Sequence, residues 1–137
     1  VADITSICGG LNINIGTLNS RSIEAMHIAG KRAAELGVEI DVRQSNHEGH
    51  LIDWLHEAED EGAKAVIINP GGYSHTSVAL HDAVKAIATP VIEVHLTDPE
   101  IRESFRHIDL VALAATRVIK GEGAQGYLTA LDAAAAL

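Results

Sequence analysis

Two short segments carry side chains that could together bind an anionic substrate and move a proton. They supply an amide, two imidazoles, hydroxyls and two guanidinium groups, in the order Asn69, His75, Thr76, then His95, Thr97, Arg102 and Arg106. Guanidinium groups pair with carboxylates, and an imidazole gives or takes a proton near neutral pH. The spacing therefore indicates acid–base chemistry on a small acid.

A structural interpretation of the same residues remains open. Asn69 precedes Pro70 and two glycines, so it could simply begin a turn. His75 or Thr76 could cap the helix that follows. The residue types alone do not decide between a binding site and a turn with a helix cap.

Strands and helices alternate along the chain, which predicts an α/β domain. Strands are expected over residues 2–7, with an extended polar segment after them, and over 38–43, 65–68, 91–95 and part of 110–119. Helices are expected over residues 20–36, 51–62, 76–88, 98–105 and 124–137. This pattern predicts a flavodoxin-like three-layer sandwich with a central parallel five-stranded sheet, and residues 1–137 form a single domain.

The predicted fold brings the two polar segments together. The first follows the strand over residues 65–68, and the second follows the strand over residues 91–95. Ligands of open α/β sheets bind beyond the carboxyl ends of the strands. We therefore expect Asn69, His75 and His95 to face one crevice.

The composition excludes several classes of partner. The net charge is −9, which disfavours nucleic acid and anionic membranes.

A single cysteine, Cys8, cannot form an internal disulfide and fits a reducing compartment such as the cytoplasm. His47 and His50 are three residues apart across Gly49, whereas the helical zinc motif needs four, so we expect no metal site.

Longer motifs make the chain resemble the type II 3-dehydroquinate dehydratases. The motifs occupy residues 43–49, 51–54, 73–77, 94–96, 102–103 and 123–127, together with Ile68-Asn69-Pro70-Gly71. The resemblance implies a lyase that dehydrates 3-dehydroquinate to 3-dehydroshikimate through an enolate, in the shikimate pathway or in quinate breakdown. It implies no cofactor, and assembly of a homo-oligomer, a dodecamer built of trimers.

The resemblance also implies roles for individual residues. His95 would be the general acid, and Asn69 would help hold the enolate through a bound water. His75 would bind and orient the ring. Thr97, where the family usually has Ser, and the backbone beside Leu96 would hold the substrate carboxylate.

Other residues would have binding or supporting roles by the same resemblance. The further substrate-binding residues would be Arg106, which would contact a ring hydroxyl, and Asn12, Gly71 and Gly72. Supporting residues would be Asp82, Arg102 and Glu48, with a surface ion pair as the alternative for Arg102.

The amino-terminal segment departs from the family. The family has a mobile lid with Arg-Glu-Pro and a Tyr that acts as the base, whereas residues 17–22 run almost directly into the first predicted helix. The two tyrosines, Tyr73 and Tyr127, match other family positions, so no residue is assigned as the base. Residues 97–100 and 107–109 also differ from the usual ones. A non-catalytic ligand-binding or scaffold relative is therefore the alternative function.

Overall fold

The structure is a computed structural model that describes residues 2–8, 11–13 and 20–137, with side chains from His27 onward. Its strands are β1 (Ala2–Cys8), β2 (Leu11–Ile13), β3 (Asp41–Ser45), β4 (Ala63–Asn69), β5 (Val91–His95) and β6 (Arg117–Lys120). Its helices are α1 (Ser20–Leu36), α2 (Glu48–Asp60), α3 (Tyr73–Thr76), α4 (Val78–Ala86) and α5 (Gln125–Ala135). Two 3-10 turns, Pro99–Ile101 and Ser104–Arg106, lie between β5 and β6.

The prediction of five parallel strands was wrong. The described strands form one six-stranded sheet in the order β3-β1-β2-β4-β5-β6. β2, β4, β5 and β6 are parallel, which confirms an α/β fold with a parallel sheet, but β1 is antiparallel to β2, β3 and β4. The extended segment that was expected after the first strand is itself a strand. Two strands joined by so short a connection must run in opposite directions, which adds one antiparallel strand.

Helices cover both faces of the sheet. On one face, α1 and α5 pack with Ile67, Ile92 and Ile119. On the other face, α2 and α4 pack with Val66, Ile68 and Val91. Neighbouring residues of β4 and β5 therefore enter opposite clusters, and this explains why the two strands read as continuous apolar runs. Among the described residues, no helix is long and apolar enough to cross a membrane.

Several element boundaries differ from those predicted. The prediction for α1 is confirmed at both ends, and Gly37 follows it at φ +68°. β3 begins at Asp41 rather than at residue 38, because Val38 and Ile40 pack against the core without joining the ladder. The helix expected over 76–88 is divided at Ser77, which is extended and accepts a hydrogen bond from the Leu80 backbone at 2.8 Å. β6 occupies only the end of the segment predicted to hold it.

The parallel strands end together at one edge of the sheet. Ile68 of β4 pairs with Glu93 of β5, so Asn69 and His95 are the final residues of two adjacent strands. The two residues therefore share one edge of the sheet, and their convergence with His75 on one crevice stays a prediction. Ligands of open α/β sheets bind at such an edge, which makes it the candidate site.

Candidate active site

Asn69 holds the turn after β4 and also contacts α5. Its Oδ1 accepts a hydrogen bond from the Gly71 backbone N–H at 3.1 Å, and its Nδ2 donates to the Tyr127 hydroxyl at 3.0 Å. Gly71 has φ +56°, a conformation that favours glycine. The amide is thus fixed in orientation, and one of its two N–H bonds remains available for a ligand.

His95 ends β5 and lies between two carboxylates. Its Nε2 is 2.8 Å from Oε1 of Glu93 and 3.2 Å from Oδ2 of Asp109. Glu93 is two residues earlier on the same strand, so both side chains project from the same face. Glu93 is fully buried and His95 nearly so. Because ionised carboxylates only accept hydrogen bonds, Nε2 carries the shared proton, and Nδ1 is the nitrogen left for a substrate.

The electrostatics keep the His95 ring protonated. Burial by itself lowers the pKa of His95, but the hydrogen bonds to Asp109 and Glu93, together with the charges of these groups, outweigh it and raise the pKa to about 9. Burial raises the pKa of Glu93 to about 7 against the hydrogen bond from His95. Burial also opposes ionisation of Asp109, yet the hydrogen bonds from His95 and from the Ala112 backbone hold its pKa below the ordinary value. At neutral pH the His95 ring is therefore protonated and can act as a general acid.

His75 is joined to the same region through a backbone carbonyl. Its Nδ1 donates to the carbonyl oxygen of Ile108 at 2.6 Å, and its Nε2 has only a long contact of 3.4 Å with the Ser74 hydroxyl. Nε2 is therefore the less strongly engaged nitrogen of the ring. The next residue after Ile108 is Asp109, which contacts His95. His75 and His95 thus contact consecutive residues, His75 the backbone of Ile108 and His95 the side chain of Asp109.

The predicted carboxylate-binding segment follows β5. Leu96 is exposed, and its carbonyl oxygen accepts a hydrogen bond from the Gly123 backbone at 2.9 Å. Thr97 accepts from Arg102 at 3.5 Å. Arg106 is 2.5 Å from Glu103, and Arg102 is 3.9 Å from the same carboxylate. The ion-pair alternative for Arg102 is therefore present in the structure.

The remaining predicted residues lie on neighbouring elements of the fold. Glu48 accepts a short hydrogen bond from Ser77, joining the start of α2 to the cap of α4. Asp82 is exposed on α4, and Gly72 is exposed before α3. Asn12 lies in β2 opposite Thr5 and Val66, and its side chain is outside the described part of the chain.

Comparison with known families identifies the family of the chain. A sequence model of the family described as "Dehydroquinase class II" matches residues 13–135 of the chain. The chain belongs to this family. The match covers both polar segments and all five helices of the described residues. It leaves out only the residues before 13 and after 135.

Relatives and solved structures of dehydroquinases agree with the family assignment. The chain is 50% identical to "3-dehydroquinate dehydratase" of Maricaulis maris, over 93% of this chain and 92% of the relative. It is 58% identical to "3-dehydroquinate dehydratase 1" of Agrobacterium fabrum, over 73% and 68% respectively. The structure of type II dehydroquinase from Propionibacterium acnes matches with a TM-score of 0.82 at 32% identity, over 90% of this chain and 96% of that one.

Three residues of the candidate site are not identified as functional groups by the sequence. In the sequence Glu93 is simply part of a predicted strand, although a carboxylate two residues before a histidine on a strand shares its face. Tyr127 was noted only as part of a motif, and its partner Asn69 is distant in sequence. Asp109 was noted only as a departure from the family, since no local pattern predicts a contact with a strand end.

The two tyrosine hydroxyls are engaged within the fold. Tyr73 donates to the carbonyl oxygen of Asn46 at 2.6 Å, and Tyr127 bonds Asn69. The expectation of a shortened lid falls largely on residues 14–19, which are outside the described residues.

Only one set of potential metal ligands occurs among the described residues. Glu93, His95 and Asp109 each offer one atom, and these atoms lie within 4.8 Å of one another. The three groups already satisfy one another, because Nε2 of His95 is within hydrogen-bond distance of both carboxylates. A hydrogen-bonded ion pair is therefore sufficient to account for the cluster.

The proton on His95 makes the stability of the fold pH-dependent. Its folded pKa of about 9 exceeds the ordinary value of 6.5, so the stabilisation is complete below pH 6.5 and is lost as the pH rises through about 9. We expect a loss of up to ~1.4 kcal/mol in unfolding free energy per pH unit within this window. Urea unfolding at a fixed protein concentration, followed by the fluorescence of the single tryptophan, Trp54, measures it. The His95→Gln variant should show a flatter curve, and parallel curves would contradict the assigned pKa.

Proposed function

We propose that this dehydroquinase is catalytically active and dehydrates 3-dehydroquinate to 3-dehydroshikimate. The observation that carries the proposal is the imidazole of His95, which is hydrogen-bonded to two carboxylates at the edge of the sheet where β4 also ends, in Asn69. Its close relatives are named 3-dehydroquinate dehydratases. The step belongs to the shikimate pathway or to quinate breakdown.

The reaction needs three functions that act in order. A base removes the proton next to the ketone, and the electrons move onto the carbonyl oxygen to form an enolate. The enolate then re-forms the ketone and a new carbon–carbon double bond, expelling the hydroxyl at the β carbon. An acid protonates that hydroxyl so that it leaves as water, and the proton taken by the base is returned to solvent.

His95 fits the role of the acid. Its Nε2 proton is retained by the carboxylates, so the proton on Nδ1 is the one given to the departing hydroxyl. After transfer the ring is neutral on Nδ1 and takes a new proton from solvent. Because the pKa of His95 is about 9, this reloading is complete at neutral pH.

Asn69 fits the role of enolate stabiliser. Its second Nδ2 hydrogen can donate to the developing oxyanion or to a water that bridges to it. The hydrogen bonds to Gly71 and Tyr127 fix the amide before the charge develops. A donor that is already oriented stabilises the transition state without the cost of reorganisation.

The remaining residues would bind and orient the substrate. We assign the ring contacts to Nε2 of His75, to Arg106, and to the backbone of Gly71 and Gly72. The carboxylate would be held by Thr97 and the backbone beside Leu96, with Asn12 as a further contact. Asp82, Arg102 and Glu48 would order the site or a contact between subunits. The base is assigned to none of the described residues.

We further propose one domain that works in the cytoplasm without a cofactor and assembles as a dodecamer built of trimers. Four large apolar side chains between β5 and β6 are more than 60% exposed and offer a surface for a partner subunit: Ile101, Phe105, Ile108 and Leu113. Static light scattering tests the assembly, and the mass of a single 14.5 kDa chain would contradict it.

Proton NMR of the product tests the proposed function. Purified protein is mixed with 3-dehydroquinate and a chelator, and the new alkene proton of 3-dehydroshikimate is observed. Quinate is the control substrate, because without the ketone its corresponding proton is not acidic. Conversion of 3-dehydroquinate alone supports the proposal. No conversion by folded protein would favour the non-catalytic alternative.

A further inference from the structure

Asp109 makes two separate contacts that hold its carboxylate in place. Oδ2 is 3.2 Å from Nε2 of His95, and Oδ1 accepts a hydrogen bond from the Ala112 backbone at 3.0 Å. The side chain is only 19% exposed. Each oxygen therefore has its own partner, one at the catalytic acid and one at the turn that follows Asp109.

The backbone on either side of Asp109 is also held. The Ile108 carbonyl oxygen accepts from His75 at 2.6 Å, and the Leu110 N–H donates to the Ser74 carbonyl oxygen at 2.7 Å. The Leu110 carbonyl oxygen accepts from His81 at 2.6 Å. Three hydrogen bonds to the α3–α4 region thus fix the position from which Asp109 reaches His95.

We propose that Asp109 is a positioning residue that, with Glu93, holds the His95 ring so that Nε2 faces the carboxylates and Nδ1 faces the substrate. The proposal rests on the function proposed above and adds a residue to it. Asp109 lies in the segment 107–109 that departs from the usual residues of the family, so its role is inferred from this structure alone.

The two carboxylates are not equivalent partners for His95. Burial raises the pKa of Glu93 to about 7, so near neutrality part of the protein has a neutral Glu93. The pKa of Asp109 is held below its ordinary range, so this group stays charged. When Glu93 is protonated, the negatively charged Asp109 therefore still contacts Nε2, and His95 stays a cation.

The other elements around His95 supply no competing charge contact among the described residues. Lys120 of β6 is opposite His95 in register, but its ammonium group is 2.8 Å from Glu100 and 3.7 Å from Asp98. The end of β4 supplies the neutral amide of Asn69. The pKa of His95 thus depends on Glu93 and Asp109, and removing the charge of either should lower it.

Exchange of the imidazole C2 hydrogen with deuterium tests the proposal independently of turnover. The rate of this exchange follows the protonation of the ring, and mass spectrometry reads it in the tryptic peptide 86–102, whose only histidine is His95. We expect Asp109→Asn to lower the His95 midpoint by at least about one pH unit. The basic limb of the kcat profile should move in the same direction.

Matched variants complete the experiment. Asp132→Asn removes an exposed carboxylate of α5 that pairs with Arg32, and both midpoints should equal those of the wild type. Asp109→Glu should restore the midpoints at least in part. If Asp109→Asn does not fold, Asp109→Ser keeps a hydroxyl that can accept from Ala112 without a charge.

The outcomes separate this inference from the proposed function. A folded Asp109→Asn or Asp109→Ser protein with the wild-type exchange midpoint would overturn the role of Asp109. Wild-type protein without turnover would contradict the proposed function, while the exchange midpoint would still decide the contact between Asp109 and His95.

Discussion

Replacing His95 by glutamine should lower kcat for 3-dehydroquinate by about 10²- to 10⁴-fold. The variant cannot protonate the departing hydroxyl, so expulsion of hydroxide would have to proceed without an acid. Glutamine is a better test than alanine because its amide can still donate to Glu93. Alanine would leave the fully buried Glu93 beside Asp109 without the hydrogen bond from His95. Breaking such a buried pair lowers the free energy of unfolding by roughly 3–5 kcal/mol.

The matched control for this variant is His56→Gln. His56 is exposed on α2, so the same exchange of residue types there should leave kcat unchanged. Circular dichroism and Trp54 fluorescence would establish that both variants are folded. A His95→Gln protein that is folded and retains wild-type turnover would eliminate His95 as the acid.

Replacing Asn69 by aspartate should lower kcat by about 10²- to 10³-fold. The carboxylate still accepts the hydrogen bond from Gly71, so the turn is kept. It loses the N–H that would stabilise the enolate, and it places a negative charge near a developing negative charge. The same change therefore removes an attraction and adds a repulsion in the transition state.

Asn46→Asp is the control for the charge and the change of residue type. Asn46 is exposed, and its side-chain oxygen accepts from Gln44, a role that a carboxylate also fills. We expect its kcat to be close to that of the wild type. If Asn69→Asp were also within about fivefold of the wild type, Asn69 would hold the turn and have no part in stabilising the enolate.

The structure shows the turn role of Asn69 that the sequence left open, and its amide can also serve the proposed binding role. Oδ1 holds the turn by accepting from Gly71, while Nδ2 faces Tyr127 and has a second hydrogen for a ligand. A primary amide has donors and an acceptor on different atoms, so one side chain can do both. For His75, the hydrogen bond to Ile108 occupies Nδ1, and Nε2 has only the 3.4 Å contact with the Ser74 hydroxyl.

The sequence predicted the parallel strands and the edge where they end because those signals are local. Continuous apolar runs defined the cores of β4 and β5, and their polar end residues Asn69 and His95 mark the shared edge. The reversal that makes β1 antiparallel was not predicted, because alternation of apolar residues gives the face of a strand but not its direction.

The cluster of Glu93, His95 and Asp109 could not be predicted as a whole from the sequence. Glu93 lies on the strand of His95, and the period of two residues could have identified it. Asp109 is positioned by contacts with α3 and α4, which come from a different part of the chain. Such a contact depends on tertiary packing, so the raised pKa of His95 follows only once the fold is known.

The appearance of the conjugated ketone product tests the central claim most directly. Purified protein is added to 3-dehydroquinate at neutral pH, and the ultraviolet absorbance of the unsaturated ketone is followed. The proposed function predicts a rise whose rate is proportional to protein concentration and is abolished, within error, in His95→Gln. Folded wild-type protein that gives no rise at any concentration would contradict it.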